Sequence, residues 1–144
     1  MSIWNKNSKK INWFVLSGNE SATSILEKNI DKICWRQLSS NPKAISILER
    51  NENKICWRQL SSNPSAIPLL KNNKRKIKWK FLSENENPDL LEKELKKGMI
   101  KVDWFRLSKN PNAISILESN QDKINWHRLS YNPNAIYWRR TKIK

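Results

Sequence analysis

One dipeptide, Leu-Ser, recurs at Leu16, Leu38, Leu60, Leu82, Leu107 and Leu129, with spacings of 22, 22, 22, 25 and 22 residues. That period constrains the chain more than any other feature. A unit so short cannot bury an apolar face alone and must stack on copies of itself. Every other column follows the same beat. Trp13, Trp35, Trp57, Trp79, Trp104 and Trp126 each stand three residues before a Leu-Ser. Ile11, Ile33, Ile55, Ile77, Val102 and Ile124 stand two before the tryptophans, each preceded by a lysine: Lys10, Lys32, Lys54, Lys76, Lys101 and Lys123. Asn19, Asn41, Asn63, Asn85, Asn110 and Asn132 follow the leucines by three. Taken from the repeated leucines, the array covers residues 10–138, with an extension at 1–9 and a basic tail at 139–144.

The units carry their own helix signals. Asn41-Pro42, Asn63-Pro64, Asn110-Pro111 and Asn132-Pro133 pair a capping asparagine with a proline suited to the first helical position. Ala44, Ile45, Ile47 and Leu48 then make the stripe of a short amphipathic helix, repeated by Ala113, Ile114, Ile116 and Leu117. Asn29, Asn51, Asn73 and Asn120 share a column with Gly98 and read as left-handed C-caps. A second helix is expected from about Lys54 through Trp57 to Leu60. Asp31, Asn53 and Asp122 stand where its N-cap would fall. The expected fold is therefore all-α, an α-solenoid of 22-residue helix-turn-helix repeats. The competing reading is a leucine-rich-repeat-like β-solenoid, since Leu-x-x-Asn recurs and Ile-x-Trp alternates like a strand.

Asn-Pro-Asn-Ala-Ile-Ser-Ile-Leu-Glu at 110–118 and Asp-Lys-Ile-Asn-Trp-His-Arg-Leu-Ser at 122–130 resemble short tandem repeats in proteins of giant DNA viruses that infect amoebae and other protists. The resemblance covers nearly the whole chain and departs in the first, fourth and last units. It implies a solenoid of viral origin that sits in the host cytoplasm or nucleus, or in the virion, and engages host proteins. It implies no particular activity.

With 28 basic and 13 acidic residues the chain carries a formal charge of +15. Such an excess favours an anionic partner: an acidic protein first, with nucleic acid as the alternative. The candidate contacts are the six column lysines together with Lys74, Arg75, Lys78 and Lys80 of the basic run that begins at Lys71. Arg139 and Arg140 in the tail join them. Nothing in packing demands lysine at a fixed position, although its stem covering a tryptophan is a plainer reason for it. The six column tryptophans are expected to be structural core rather than base-stacking platforms. The run lies in an irregular stretch, where Pro68 is expected one turn inside a helix and the fourth unit gains three residues around Asn85-Glu-Asn-Pro88-Asp89. At the end of the array, Tyr137 and Trp138 either close the core under a basic helix or precede a free anion-binding arm.

Other classes find little footing. No apolar run reaches the ~18–20 residues of a membrane span. The apolar stretch Trp13 to Leu16 is too short for a signal-peptide core, so an intracellular, non-secreted protein is expected. Cys34 and Cys56 share a column in neighbouring units, ~8–10 Å apart by helix stacking, which is too far for a disulfide. His127 shares its column with Phe14, Arg36, Arg58, Lys80 and Phe105, so the scaffold does not require imidazole there. No enzyme activity, metal, cofactor or small-molecule substrate is expected.

Overall fold

The computed structural model describes residues 3–98 and 101–136. Among these residues the regular elements are all helical: short α-helices joined by 3-10 turns, with no strand. The helices are α1 (Ile3–Lys6), α2 (Trp13–Gly18), α3 (Thr23–Glu27), α4 (Trp35–Ser40), α5 (Ile45–Glu49) and α6 (Trp57–Ser61). They continue with α7 (Ile67–Asn72), α8 (Trp79–Leu82), α9 (Asp89–Lys96), α10 (Trp104–Leu107), α11 (Ile114–Glu118) and α12 (Trp126–Leu129). Among the described residues five units thus contribute a Trp helix and a second apolar helix, and α12 is the Trp helix of the last. The Trp helices pack on their counterparts in the next unit, α2 on α4, α4 on α6 and α6 on α8.

The fixed columns form the core. Leu38, Leu60, Leu82 and Leu107 of the Trp helices are essentially inaccessible. So are Leu26, Leu48, Leu70, Leu91 and Leu117 of the other row. Small alanines at 22, 44, 66 and 113 let the connecting turns close over them, and Ile33, Ile55, Ile77 and Ile124 complete the layer. Each such leucine or isoleucine contributes about 1.5–3 kcal/mol by leaving water, and helices this short depend on that burial because they are marginal alone.

Three local expectations are corrected. The Asn29, Asn51, Asn73 and Asn120 column is not left-handed. Their φ values are −135°, −135°, −127° and −137°, and Gly98 alone has positive φ among the described residues, at 68°. Each asparagine instead turns its side-chain amide back to the carbonyl four residues earlier, on Ile25, Ile47, Leu69 or Ile116. That bond satisfies a free helix-end acceptor without a left-handed residue. The second helix begins at the tryptophan, not at the lysine. Asp31, Asn53 and Asp122 lie inside the 3-10 turns Ile30–Lys32, Glu52–Lys54 and Gln121–Lys123. The N-cap position falls directly before the tryptophan, where Asn12, Asp103 and Asn125 accept a backbone N–H through their side chains. Cys34, Cys56 and Lys78 hold the same position without such a bond. Finally, Pro68 does not interrupt a helix. The 3-10 turn Pro64–Ala66 ends first and α7 starts afresh at Ile67, so Pro68 lies in the first turn, where its missing N–H is no loss.

The strand-like Ile-x-Trp motif is a short extended link, with Ile33 and Ile55 at φ −63°, ψ 130°. Its backbone pairs with a side chain rather than a neighbouring strand, which removes the basis for a β-solenoid.

The fourth unit absorbs its extra residues in α9, which is eight residues long. Asn87 is added as a second cap, accepting from the N–H of Asp89.

Candidate anion-binding face

Two side-chain ladders hold the units in register and so fix the surface columns. The amide Nδ2 of Asn41 donates to the carbonyls of Ser17 and Asn19 in the preceding unit. Asn63 repeats this on Ser39 and Asn41, Asn85 on Ser61 and Asn63, Asn110 on Ser83 and Asn85, and Asn132 on Ser108 and Asn110. All these bonds measure 2.8–3.2 Å. Each Oδ1 accepts a local N–H two residues on, such as Lys43 for Asn41 and Ser65 for Asn63. The asparagines are buried, and both ends of each amide are in use.

The serine ladder runs beside them. Ser39 Oγ donates to the carbonyl of Trp35 and accepts the N–H of Cys56, at 2.7 and 3.0 Å. Ser17 serves Cys34 in the same way, Ser61 serves Lys78, Ser83 serves Asp103 and Ser108 serves Asn125. These ladders connect residues 17–27 positions apart.

The lysine column rides on this frame. Lys10, Lys32, Lys54, Lys76, Lys101 and Lys123 are all exposed. Three of them reach back over the tryptophan of the preceding unit. The Nζ of Lys54 lies 5.2 Å from the Trp35 ring centre, Lys76 4.8 Å from Trp57 and Lys123 5.4 Å from Trp104. These are cation–π distances. Each pair is nineteen residues apart in sequence. Lys32 instead pairs with its neighbour Asp31 at 3.2 Å. Lys101 stands three residues too far from Trp79 because of the insertion. The tryptophans themselves lie at the edge of the core. Trp13, Trp35, Trp57, Trp79 and Trp104 are partly buried against it, and Trp126 is 56% exposed.

The basic run divides. Lys74 bonds the Glu94 carboxylate at 2.7 Å, and Lys97 bonds the same oxygen at 3.0 Å. Glu94 is nearly inaccessible. The hydrogen bond from Lys74, then that from Lys97, holds its pKa below the ordinary glutamate range. The same bond raises the pKa of Lys74. Lys71, Arg75, Lys78 and Lys80 keep exposed side chains, and residues 71–76 line an open depression. Arg139 and Arg140 lie outside the described residues, as do Tyr137 and Trp138.

A second cationic row was not apparent from the sequence. It lies at the two positions after each tryptophan, the first of them the His127 column. The guanidinium of Arg58 lies 4.5 Å from the Phe81 ring centre and that of Arg106 5.3 Å from the same ring. Arg128 lies 4.3 Å from Phe105, with its Nε buried and unpaired. Arg106 is further held by the carboxylates of Glu84 and Asp103. The available signal was an Arg and a Phe in adjacent units at these positions: Arg58 then Phe81, Phe81 then Arg106, and Phe105 then Arg128. It becomes meaningful only when the units are known to stack.

Among the described residues there is no cluster of three or more His, Cys, Asp or Glu side chains placed to hold a metal. Cys34 and Cys56 are free thiols. No helix among these residues is long and apolar enough to cross a membrane. No family model, curated protein or solved structure matches the chain.

Proposed function

We propose that the chain is a non-enzymatic repeat scaffold that binds an acidic protein partner through its cationic columns. The observation that carries this reading is the lysine column, whose exposed ammonium groups recur once per unit and in Lys54, Lys76 and Lys123 are steadied on the tryptophan below. A side chain held in place loses less freedom on binding than a free lysine, so the same charge contributes more to recognition. The solenoid form, the intracellular setting and the viral origin implied by the repeat's wording belong to the same proposal. Nucleic-acid binding draws on the same lysines and is the second reading. The rings of Trp35, Trp57 and Trp104 are already covered by lysine, which weighs against their stacking with bases.

The test is a titration of labelled polyglutamate, single-stranded DNA and duplex DNA at ~50 and ~200 mM salt, with an unrelated protein of equal charge as control. Polyglutamate should bind more tightly than it binds the control, and DNA no more tightly. DNA binding above the control, weakened by Lys54→Ala, Lys76→Ala and Lys123→Ala together, would replace the protein partner with nucleic acid.

A further inference from the structure

The arginine-aromatic row supplies something the lysine column lacks: planar donors already backed by rings. We propose that this outer strip of the Trp helices docks an acidic peptide segment in an extended, polyproline II-like conformation with a carboxylate at every third residue. The proposal rests on the acidic-partner reading above and names the contact that confers its specificity.

The strip contains its own example of the contact. Arg106 lies against the Phe81 ring while the carboxylates of Glu84, from the preceding unit, and Asp103 hold its nitrogens. An aromatic-backed guanidinium on this surface therefore takes carboxylates. Arg58 is similarly backed by Phe81, and Arg128 by Phe105, yet among the described residues neither has a carboxylate partner. Arg36 and Lys80 stand at the same helical position as Arg58 in adjoining units, are exposed as Arg58 is, and have no carboxylate partner among the described residues. Among those residues, the two carboxylates that pair here, Glu84 and Asp103, are both taken by Arg106.

Stacking fixes the plane of a guanidinium and leaves its donors in a defined orientation, which suits two-pronged recognition of a carboxylate. Spacing favours an extended occupant. Packed helices repeat at ~8–10 Å, and a polyproline II chain returns to the same face every third residue, after ~9.3 Å. One carboxylate per unit would then keep register along the strip without distortion. A nucleic-acid strand fits less well. Phe81 is contacted by guanidinium groups from both neighbouring units, which leaves little of its ring for a base.

The experiment uses the full chain and two labelled peptides of equal composition. One has about six Glu-Pro-Ala repeats; the other gathers the same glutamates into one block. Binding is read by fluorescence anisotropy for the wild type, for Arg58→Gln with Arg128→Gln, and for Lys54→Gln with Lys76→Gln and Lys123→Gln. Circular dichroism confirms that each variant is folded. The periodic peptide should bind about tenfold more tightly than the block peptide, and the double arginine variant should lose about that factor. The triple lysine variant should lose less, although it removes more charge. Equal affinity for the two peptides, or a larger loss in the lysine variant, would overturn the strip and leave the acidic-partner reading standing. Binding of both peptides no tighter than to an equally basic control protein would remove both.

Discussion

At the scale of single residues, the asparagine after Leu-Ser carries more of the structure than its place in the sequence suggests. Asn63 donates to two carbonyls of the preceding unit and accepts one local N–H, all in a buried setting. Asn63→Ala leaves those groups without a partner and should cost about 2–4 kcal/mol, because an unmade buried bond forfeits the desolvation of each group. Asn19 is exposed and accepts one bond, so Asn19→Ala should cost less than about 1 kcal/mol. Urea denaturation of the two variants checks the contrast. The sequence presents the asparagine column as the cap of the first helix, but it caps only the 3-10 turns at Glu20–Ala22 and Pro64–Ala66. The helices α5 and α11 start later, after Ala44 and Ala113, and there the Oδ1 bond closes a local turn. The bonds to the preceding unit were not legible. Their acceptors are backbone carbonyls 22–27 residues away, and a backbone group leaves no mark in the sequence. The Asn29 column went astray for a related reason. Asparagine is favoured both in left-handed turns and as a donor to nearby backbone, and composition does not separate the two.

At the scale of elements, the repeat predicts two helices per unit, and both kinds of helix form but start later than the sequence signals suggest. The Trp helices begin at the tryptophan because the extended isoleucine before it is buried and its successor's N–H goes to the serine of the previous unit. Three of these helices lack a side-chain cap. In Cys56→Asp the carboxylate should accept the same N–H that Asp103 takes in its own unit and stabilise the fold by about 0.5–1 kcal/mol, seen as a higher midpoint in urea. In the irregular fourth unit, α9 adds a buried carboxylate, Glu94, held by the exposed Lys74 and Lys97. The Glu94 pKa is lowered by Lys74 and Lys97. A carboxyl with a depressed folded pKa stabilises above its unfolded pKa, and that contribution is lost as pH falls through the folded value. Thermal stability should therefore drop on acidification through and below the ordinary glutamate range. Glu94→Gln should be less stable near neutrality and should show a shallower acid decline. An unchanged acid limb in that variant would remove Glu94 from the cause.

At the scale of the whole molecule, the period alone established that units must pack on their neighbours, and the all-α class followed from the Asn-Pro signals. Charge was legible as an amount but not as an arrangement. The lysine column could be read from the sequence, whereas the arginine row emerges only when residues of adjacent units, such as Arg58 and Phe81, are brought together. The serine and asparagine ladders lock the units, and that lock holds both cationic rows in register. The most direct measurement is hydrogen exchange at the backbone amides of Cys34, Cys56, Lys78, Asp103 and Asn125. Each directly precedes a Trp helix and donates to a serine of the preceding unit. Locked units predict that all five exchange slowly, and that Ser39→Ala releases Cys56. Exchange at these amides as fast as in an exposed loop would contradict the ladder and the fixed surface built on it.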